Sequence, residues 1–158
     1  MTSVPALLSA PLPPVPSRDA APVLGELTQQ LHRFFHQLDE RRYDAMLAQF
    51  TDDGRWLRQG AWLEGRDAIG AALQARPAGT ETRHVMSNAY LAELSADRAV
   101  LEAYMTAYRY PAVADGAAPP RVPGAYRLNL VRTEFRRDAD HDWRIAEQRM
   151  VAAIAFAE

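Results

Sequence analysis

The spacing of apolar residues changes once along this chain, and that change limits the folds open to it. Up to Gly79 they recur every three or four positions, which predicts amphipathic helices. After Gly79 they alternate with polar residues over four long runs, which predicts strands. Helices first and long strands afterwards indicate an α+β fold, because a parallel α/β fold would alternate the two.

The part before Gly79 also contains a turn and one strand. Its elements are predicted as a first helix with its apolar stripe from Val23 to Leu38, a second helix over Tyr43–Phe50, a turn over Thr51–Gly54, a strand over Arg55–Trp62 and a third helix over Arg66–Arg76. Pro22 suits the first turn of the first helix, and Pro77 ends the third.

The four long strands are predicted at Thr82–Leu94, Arg98–Tyr110, Ala125–Arg136 and Trp143–Phe156. Strands of about a dozen residues would span ~40 Å, so the sheet has to curl. Helices lying against its concave face would enclose an apolar pocket. The proline-rich stretch Pro111–Pro123 separates two of the strands and is predicted as a long hairpin loop that gates this pocket.

The composition excludes several kinds of chemistry. All 18 basic residues are arginine, so no lysine can form a Schiff base or bind phosphate in a phosphate-binding loop. There is no cysteine, which excludes thiol nucleophiles, disulfides and thiolate metal sites. A net charge of −2 gives no reason to expect a nucleic-acid partner.

The N-terminal segment differs from the rest of the chain. Residues 1–21 are rich in proline, which predicts a flexible arm, and residues 22–158 are predicted as one domain. The segment lacks the basic start and unbroken apolar run of a secretory signal. No stretch approaches the ~20 apolar residues that span a membrane. We expect a cytoplasmic protein with no membrane partner.

Several separated motifs resemble the SnoaL-like family of the nuclear transport factor 2-like superfamily. They are Phe34–Asp39, Arg42–Asp53, Gly65–Ile69, Arg83-His84 with Asn88, and Trp143–Ile145. The resemblance implies a curled, mixed or antiparallel sheet that forms a cone-shaped half-barrel, with N-terminal helices on its concave face. The family contains dehydratases, isomerases, polyketide cyclases and non-catalytic subunits, so function has to be argued from the site.

Asp39 and His84 are the candidate catalytic residues. Asp39 lies at the end of the first helix, on the flank of its apolar stripe, and His84 lies near the start of a strand. Resemblance to the dehydratase-like members implies that His84 transfers a proton and that Asp39 is its partner. The alternative is that both are structural, with Asp39 paired to an arginine and His84 satisfied in the core.

Substrate-contacting residues are predicted around this pair. Strand alternation places Met86, Asn88 and Tyr90 on the face of His84, and Met105 on a cavity-facing strand position. The full set of predicted substrate-binding residues is Phe34, Trp56, Met86, Asn88, Tyr90, Met105 and Tyr126.

The chain departs from its relatives at two site positions. The resemblance implies a tyrosine donor where this chain has Phe34, and in ketosteroid isomerases a catalytic aspartate where it has Arg58. An isomerase of that type is therefore not expected. Tyr90, Tyr104, Tyr108 and Tyr126 remain open as the replacement donor, although alternation assigns Tyr104 and Tyr108 to a dimer face.

Two charged groups have simpler explanations than function. His32 and His36 have the four-residue spacing of a metal site, with Asp39 as a third ligand, but helix-surface histidines are common and no metal is predicted. Arg144, Glu147 and Arg149 predict a surface row of ion pairs, although Arg149 has the charge to meet an anionic substrate.

Two functions of different classes remain. The first is a cofactor-independent acid/base lyase, isomerase or cyclase acting on a largely apolar, aromatic or polyketide-like small molecule. The second is a non-catalytic, dimeric ligand-binding or assembly subunit, which resembles the β-subunit of ring-hydroxylating dioxygenases. Both are expected to form a homodimer through the exposed face of the sheet.

Overall fold

A computed structural model describes residues 18 and 20–156 of the chain. The predicted N-terminal arm lies outside the described residues except for its last few positions. The helices are α1 (Ala20–Asp39), α2 (Tyr43–Leu47) and α3 (Gly65–Gln74); the strands are β1 (Phe50–Arg58), β2 (Ala61–Glu64), β3 (Thr80–Leu94), β4 (Arg98–Pro111), β5 (Arg127–Arg137) and β6 (Trp143–Ala155).

The strands form one sheet in the order β2-β1-β6-β5-β4-β3. Neighbours pair antiparallel except β1 and β6, which pair parallel. The sheet is curled and does not close, and the helices lie against its concave face. The predicted α+β half-barrel is confirmed. The described part of the chain contains no helix with the length and apolarity needed to cross a membrane.

The segment between α2 and α3 differs from the prediction. Thr51–Gly54 was expected to be a turn, but it lies inside β1, where the pairing with β6 shifts register. Gly54 permits this because a Cβ there would come within 3.0 Å of the Ile145 carbonyl oxygen. The predicted strand Arg55–Trp62 is split by a hairpin turn at Gln59-Gly60, where both residues have positive φ, as a type I′ turn requires.

The core lies between α1 and the concave face of the sheet. Phe34 is fully buried, and its ring meets the rings of Phe35, Phe50 and Trp56 edge-on, with centroids 5.1, 5.7 and 5.6 Å away. Such edge-to-face pairs add to the stabilisation from burial alone. This aromatic cluster fills space between α1 and the sheet.

The convex face of the sheet carries large apolar side chains in solvent. Val85 and Ile154 are 54% and 50% exposed, and Tyr104 is 37% exposed. Tyr104 lies on this face as alternation predicts, with the inward Ala103 and Met105 on either side. The homodimer stays a prediction.

Candidate functional site

Asp39 is the last residue of α1, and the way this helix ends fixes its position. The Arg42 N–H donates to the Gln37 carbonyl at 2.8 Å, and the Arg41 N–H donates to the Leu38 carbonyl at 3.4 Å. Arg41 has φ 55°, so the end of α1 is a Schellman motif with an arginine in the left-handed position. The side chain of Asp39 is buried there, only 5% exposed.

The Arg41 side chain ties the end of α1 to the start of β3. Its Nη2 donates to the Pro77 carbonyl at 2.7 Å and to the Thr80 carbonyl at 2.8 Å. These two bonds hold the chain that enters β3 against the end of α1. As a result, the first residues of β3 run past the Asp39 carboxylate.

Asp39 and His84 form a buried pair across this junction. The His84 Nδ1 lies 2.6 Å from Asp39 Oδ1, and the His84 backbone N–H donates to Asp39 Oδ2 at 2.9 Å. Both side chains are less than 10% exposed. The Phe35 ring covers the imidazole, with centroids 5.2 Å apart. The carboxylate therefore fixes both the backbone and the ring of His84.

The hydrogen bonds of Asp39 determine which nitrogen of His84 carries the proton. A carboxylate can only accept, so the Nδ1 that faces it must donate. The neutral imidazole then has an unprotonated Nε2. Because His84 lines the cavity, Nε2 is the ring nitrogen that a bound molecule can reach. This arrangement suits a general base whose orientation is set by a carboxylate.

Thr82 and Arg76 extend the network behind the pair. The Thr82 hydroxyl donates to Asp39 Oδ1 at 2.9 Å and accepts from Arg76 Nη2 at 2.9 Å. Arg76 Nη1 also donates to the Leu38 carbonyl at 2.6 Å, where a cation meets the negative end of the α1 dipole. Asp39 thus accepts three hydrogen bonds, and its position is set from α1, α3 and β3 together.

His84 forms part of the wall of a cavity of about 800 Å³, and Asp39 contacts its ring from outside this lining. Apolar residues from α1 and three strands make up much of the lining: Leu38, Leu57, Met105, Ala107, Met150 and Val151. A volume of this size accommodates a multi-ring small molecule.

Five of the seven predicted substrate-binding residues fall into three groups. Met105 and Tyr126 line the cavity. Phe34 and Trp56 are fully buried in the aromatic cluster, and the Trp56 Nε1–H donates to the Met150 sulfur at 3.3 Å. Met86 is partly buried and packs against the core on the same face as His84.

Asn88 and Tyr90 do not lie on the cavity face, so the prediction from simple alternation is wrong for them. The pairing of β3 with β4 shifts register between Ser87 and Tyr90, and Asn88 has φ 53° and is exposed. This β-bulge inserts one extra residue and turns Tyr90 to the convex face, where its hydroxyl donates to Glu102. Burial and this carboxylate raise the pKa of Tyr90 to about 12.

Three site residues were missed by sequence reasoning. Thr82 has the same two-residue spacing from His84 that indicated Met86, so its position on this face could have been predicted. Arg76 follows α3 and reaches the pair only through the tertiary fold. Arg58 was noted as a departure from an aspartate, but its place in the cavity lining depends on the curl of the sheet.

His32 and His36 are both exposed on α1, and Asp39 is directed to His84 instead. Within the described range, no three side chains of the metal-ligating types are grouped to hold an ion.

The sequence profile of one domain family, described as the SnoaL-like domain, matches residues 22–149. This span includes α1, the Asp39–His84 pair and all but the end of the sheet. The chain belongs to the SnoaL-like domain family. Its sequence has no significant match among curated proteins.

Several solved structures share this fold. A Catenulispora acidiphila protein has 22% identity and a TM-score of 0.71, with 86% of this chain and 95% of that chain covered. ActVI-ORFA from Streptomyces coelicolor has 19% identity and a TM-score of 0.70, covering 84% and 98%. A candidate scytalone dehydratase from Novosphingobium aromaticivorans has 15% identity and a TM-score of 0.65, covering 90% and 92%. At these identities the likeness shows the fold alone.

Proposed function

We propose that this SnoaL-like protein is a cofactor-independent acid/base enzyme of the lyase, isomerase or cyclase kind. Its substrate is a small molecule with a largely apolar, ring-containing body that fits the cavity. One observation carries the proposal: His84 is held by Asp39 through two contacts while the ring lines the cavity.

An elimination of water shows how the pair would act. The unprotonated Nε2 of His84 takes a proton from a carbon next to a carbonyl, and the C–H electron pair forms the new double bond. The C–O bond to the leaving hydroxyl breaks, and the oxygen takes a proton from the imidazolium to leave as water. Asp39 stabilises the imidazolium between these two transfers. An isomerisation would use the same base and return the proton to another carbon.

The position of Arg58 supports a reaction without a carboxylate base on β1. The side chain lines the cavity, and the family resemblance implies that ketosteroid isomerases, from which this chain departs, have a catalytic aspartate at the matching position. His84 is then the general base of the site.

Two of the four candidate tyrosines, Tyr108 and Tyr126, line the cavity, although alternation predicted Tyr108 on the dimer face. We take Tyr126 as the replacement for the tyrosine missing at position 34. It lines the cavity, and its hydroxyl accepts from Arg127 Nη2 at 2.8 Å, which leaves the O–H proton free to be donated. Tyr90 and Tyr104 lie on the convex face, and Tyr104 is exposed there.

The test is turnover of a library of hydroxylated aromatic and polyketide-like ketones, followed by mass spectrometry of the products. We expect the wild type to convert one class of substrate. H84Q and D39N should keep binding, detected by thermal shift, but lose ~10²–10⁴-fold in rate. H36Q, at an exposed histidine of α1, is the matched control and should behave as wild type. Binding by all four proteins with turnover in none would overturn the proposal.

The alternative is a non-catalytic assembly subunit, and the apolar convex face favours it. Val85, Tyr104 and Ile154 offer a surface for a second subunit. A homodimer seen by light scattering would be consistent with both functions. Co-purification of a large iron-containing partner, with no turnover by this chain alone, would decide for the subunit.

A further inference from the structure

The polar side of the cavity is unusually rich in positive charge. Four arginines line it, Arg58, Arg76, Arg109 and Arg127, together with His84. Among the described residues that form this lining, none is an aspartate or glutamate.

Arg76 donates its hydrogen bonds in the cavity region to neutral groups. Its acceptors are the Leu38 carbonyl, the Tyr43 hydroxyl and the Thr82 hydroxyl. Among the described residues, its link to a negative charge is indirect, through Thr82 to Asp39. The charge of this guanidinium is therefore not cancelled by a carboxylate in direct contact.

Arg127 also has a neutral partner. Its Nη2 donates to the Tyr126 hydroxyl at 2.8 Å, and its Nε is buried without an acceptor among the described residues. An N–H buried without an acceptor costs free energy unless a ligand or water receives it.

Arg58 has no hydrogen bond or ion pair with any residue in the described part of the chain, and its guanidinium lies 5.4 Å from the Trp56 ring centroid. Arg58 and Arg76 line the same cavity, and burial together with the positive charge of Arg76 lowers the pKa of Arg58, the direction that repulsion between like charges produces. An anion placed between them would remove this repulsion.

Arginines on the convex face, in contrast, have carboxylate partners. Arg55 and Arg149 bind Glu147, and Arg98 binds Glu93 and Glu134. These arginines of the outer surface thus form ion pairs with carboxylates, whereas no carboxylate of the described residues forms an ion pair with Arg58 or Arg76. The cavity lining therefore has positive charge that an anionic ligand would balance.

We propose that the cavity binds a small carboxylic acid, with Arg58 receiving the carboxylate and the apolar body lying against Met105 and Met150. The planar fork of a guanidinium matches a carboxylate through two parallel hydrogen bonds. The charges of Arg76 and Arg127 add to the attraction. This inference deepens the proposed function, because it names the group that would orient a substrate toward His84, but the binding itself does not depend on catalysis.

The test compares a carboxylate with its neutral isostere. Binding of 2-naphthoate and of 2-naphthamide is measured by calorimetry and by chemical-shift changes at His84. We expect the carboxylate to bind the wild type at least ~10-fold more tightly than the amide, which is the lower range for a hydrogen bond to a charged group. Rising salt should weaken only the carboxylate.

Two variants test whether Arg58 is the arginine that binds the carboxylate. R58M should remove the preference for the carboxylate, whereas R33M, which removes an exposed arginine of α1, should keep it. H84Q should also keep it, so a failure of catalysis is distinguishable from a failure of this inference. Equal affinity for the two probes, no binding of either, or an unchanged preference in R58M would overturn it. If R58M does not fold, the comparison of 2-naphthoate with 2-naphthamide on the wild type still tests the preference for a carboxylate.

Discussion

Asp39 holds His84 by both its ring and its backbone, with Oδ1 at 2.6 Å from Nδ1 and Oδ2 at 2.9 Å from the backbone nitrogen. A carboxylate that contacted the ring alone would let the strand shift beneath it. Here the same carboxylate fixes the position of the first residues of β3 and the orientation of the imidazole. The contacts that join the end of α1 to the start of β3 are thus the same contacts that position His84.

Thr82 is predicted to act as a positioning residue. In T82V the carboxylate loses one of its three donors, and Asp39 gains freedom to turn away from His84. We expect kcat to fall ~5–10-fold with KM unchanged, the effect of losing one hydrogen bond in the network. T82S keeps the hydroxyl and should restore kcat. A fall in T82S as large as that in T82V would contradict this role, because T82S retains the hydroxyl that donates to Asp39.

Glu147 is predicted to stabilise the fold in a pH-dependent way. Burial acts to raise the pKa of this carboxyl, but hydrogen bonds from Arg149 and Arg55 outweigh it and hold the pKa below its usual value. A carboxyl with a lowered pKa binds fewer protons when folded, so it stabilises the protein above its unfolded pKa, and this stabilisation disappears as the pH falls through its folded pKa.

The variant E147Q should therefore lose about 1–2 kcal/mol of unfolding free energy near neutral pH. The difference from wild type should shrink in strong acid, where both proteins have a neutral side chain. Urea denaturation at a series of pH values measures this, with E26Q, at an exposed position of α1, as control. A difference that stayed constant with pH would contradict the ion-pair explanation.

Glu147 is itself buried, so the sequence-based expectation of a solvated row of ion pairs was wrong for its central residue.

The bulge at Asn88 is predicted to tolerate glycine but not valine. Its φ of 53° is a left-handed conformation that asparagine and glycine adopt readily and β-branched residues do not. N88G should match the wild type within a few tenths of a kcal/mol, and N88V should lose about 1–3 kcal/mol. Equal stability of the two variants would show that β3 can run without the bulge.

The sequence predicts the long elements of this fold well because their periods extend over many residues. Three features of the structure could not be predicted from the sequence, for physical reasons. The Gln59-Gly60 hairpin and the Asn88 bulge each depend on one or two residues with positive φ, too short for a periodic signal. The cavity arginines are brought together by the curl of the sheet, since Arg58 and Arg127 belong to different strands.

The pair of Asp39 and His84 could be predicted for a different reason. Neither the spacing of Asp39 nor that of His84 links the two, and only the resemblance to dehydratase-like relatives joined them. The structure brings them within hydrogen-bonding distance. Their part in catalysis stays a prediction until turnover is measured.

Phe34 is predicted to serve packing and not chemistry. A tyrosine there would bury a hydroxyl among the rings of Phe35, Phe50 and Trp56. F34Y should therefore lose about 1–3 kcal/mol of unfolding free energy and gain no activity. Thermal denaturation and turnover of the same preparation measure both. A stable variant with higher turnover would instead show that position 34 reaches the substrate.

The most direct test of the central claim is the protonation state of the His84 ring, read from ¹⁵N–¹H correlation spectra at a pH where the ring is neutral. We predict a proton on Nδ1 and none on Nε2 in the wild type, with this preference lost in D39N. That result would show that Asp39 presents Nε2 to the cavity as a base. A proton on Nε2 in the wild type, or the same spectrum in D39N, would contradict the pair as the acid/base centre of this protein.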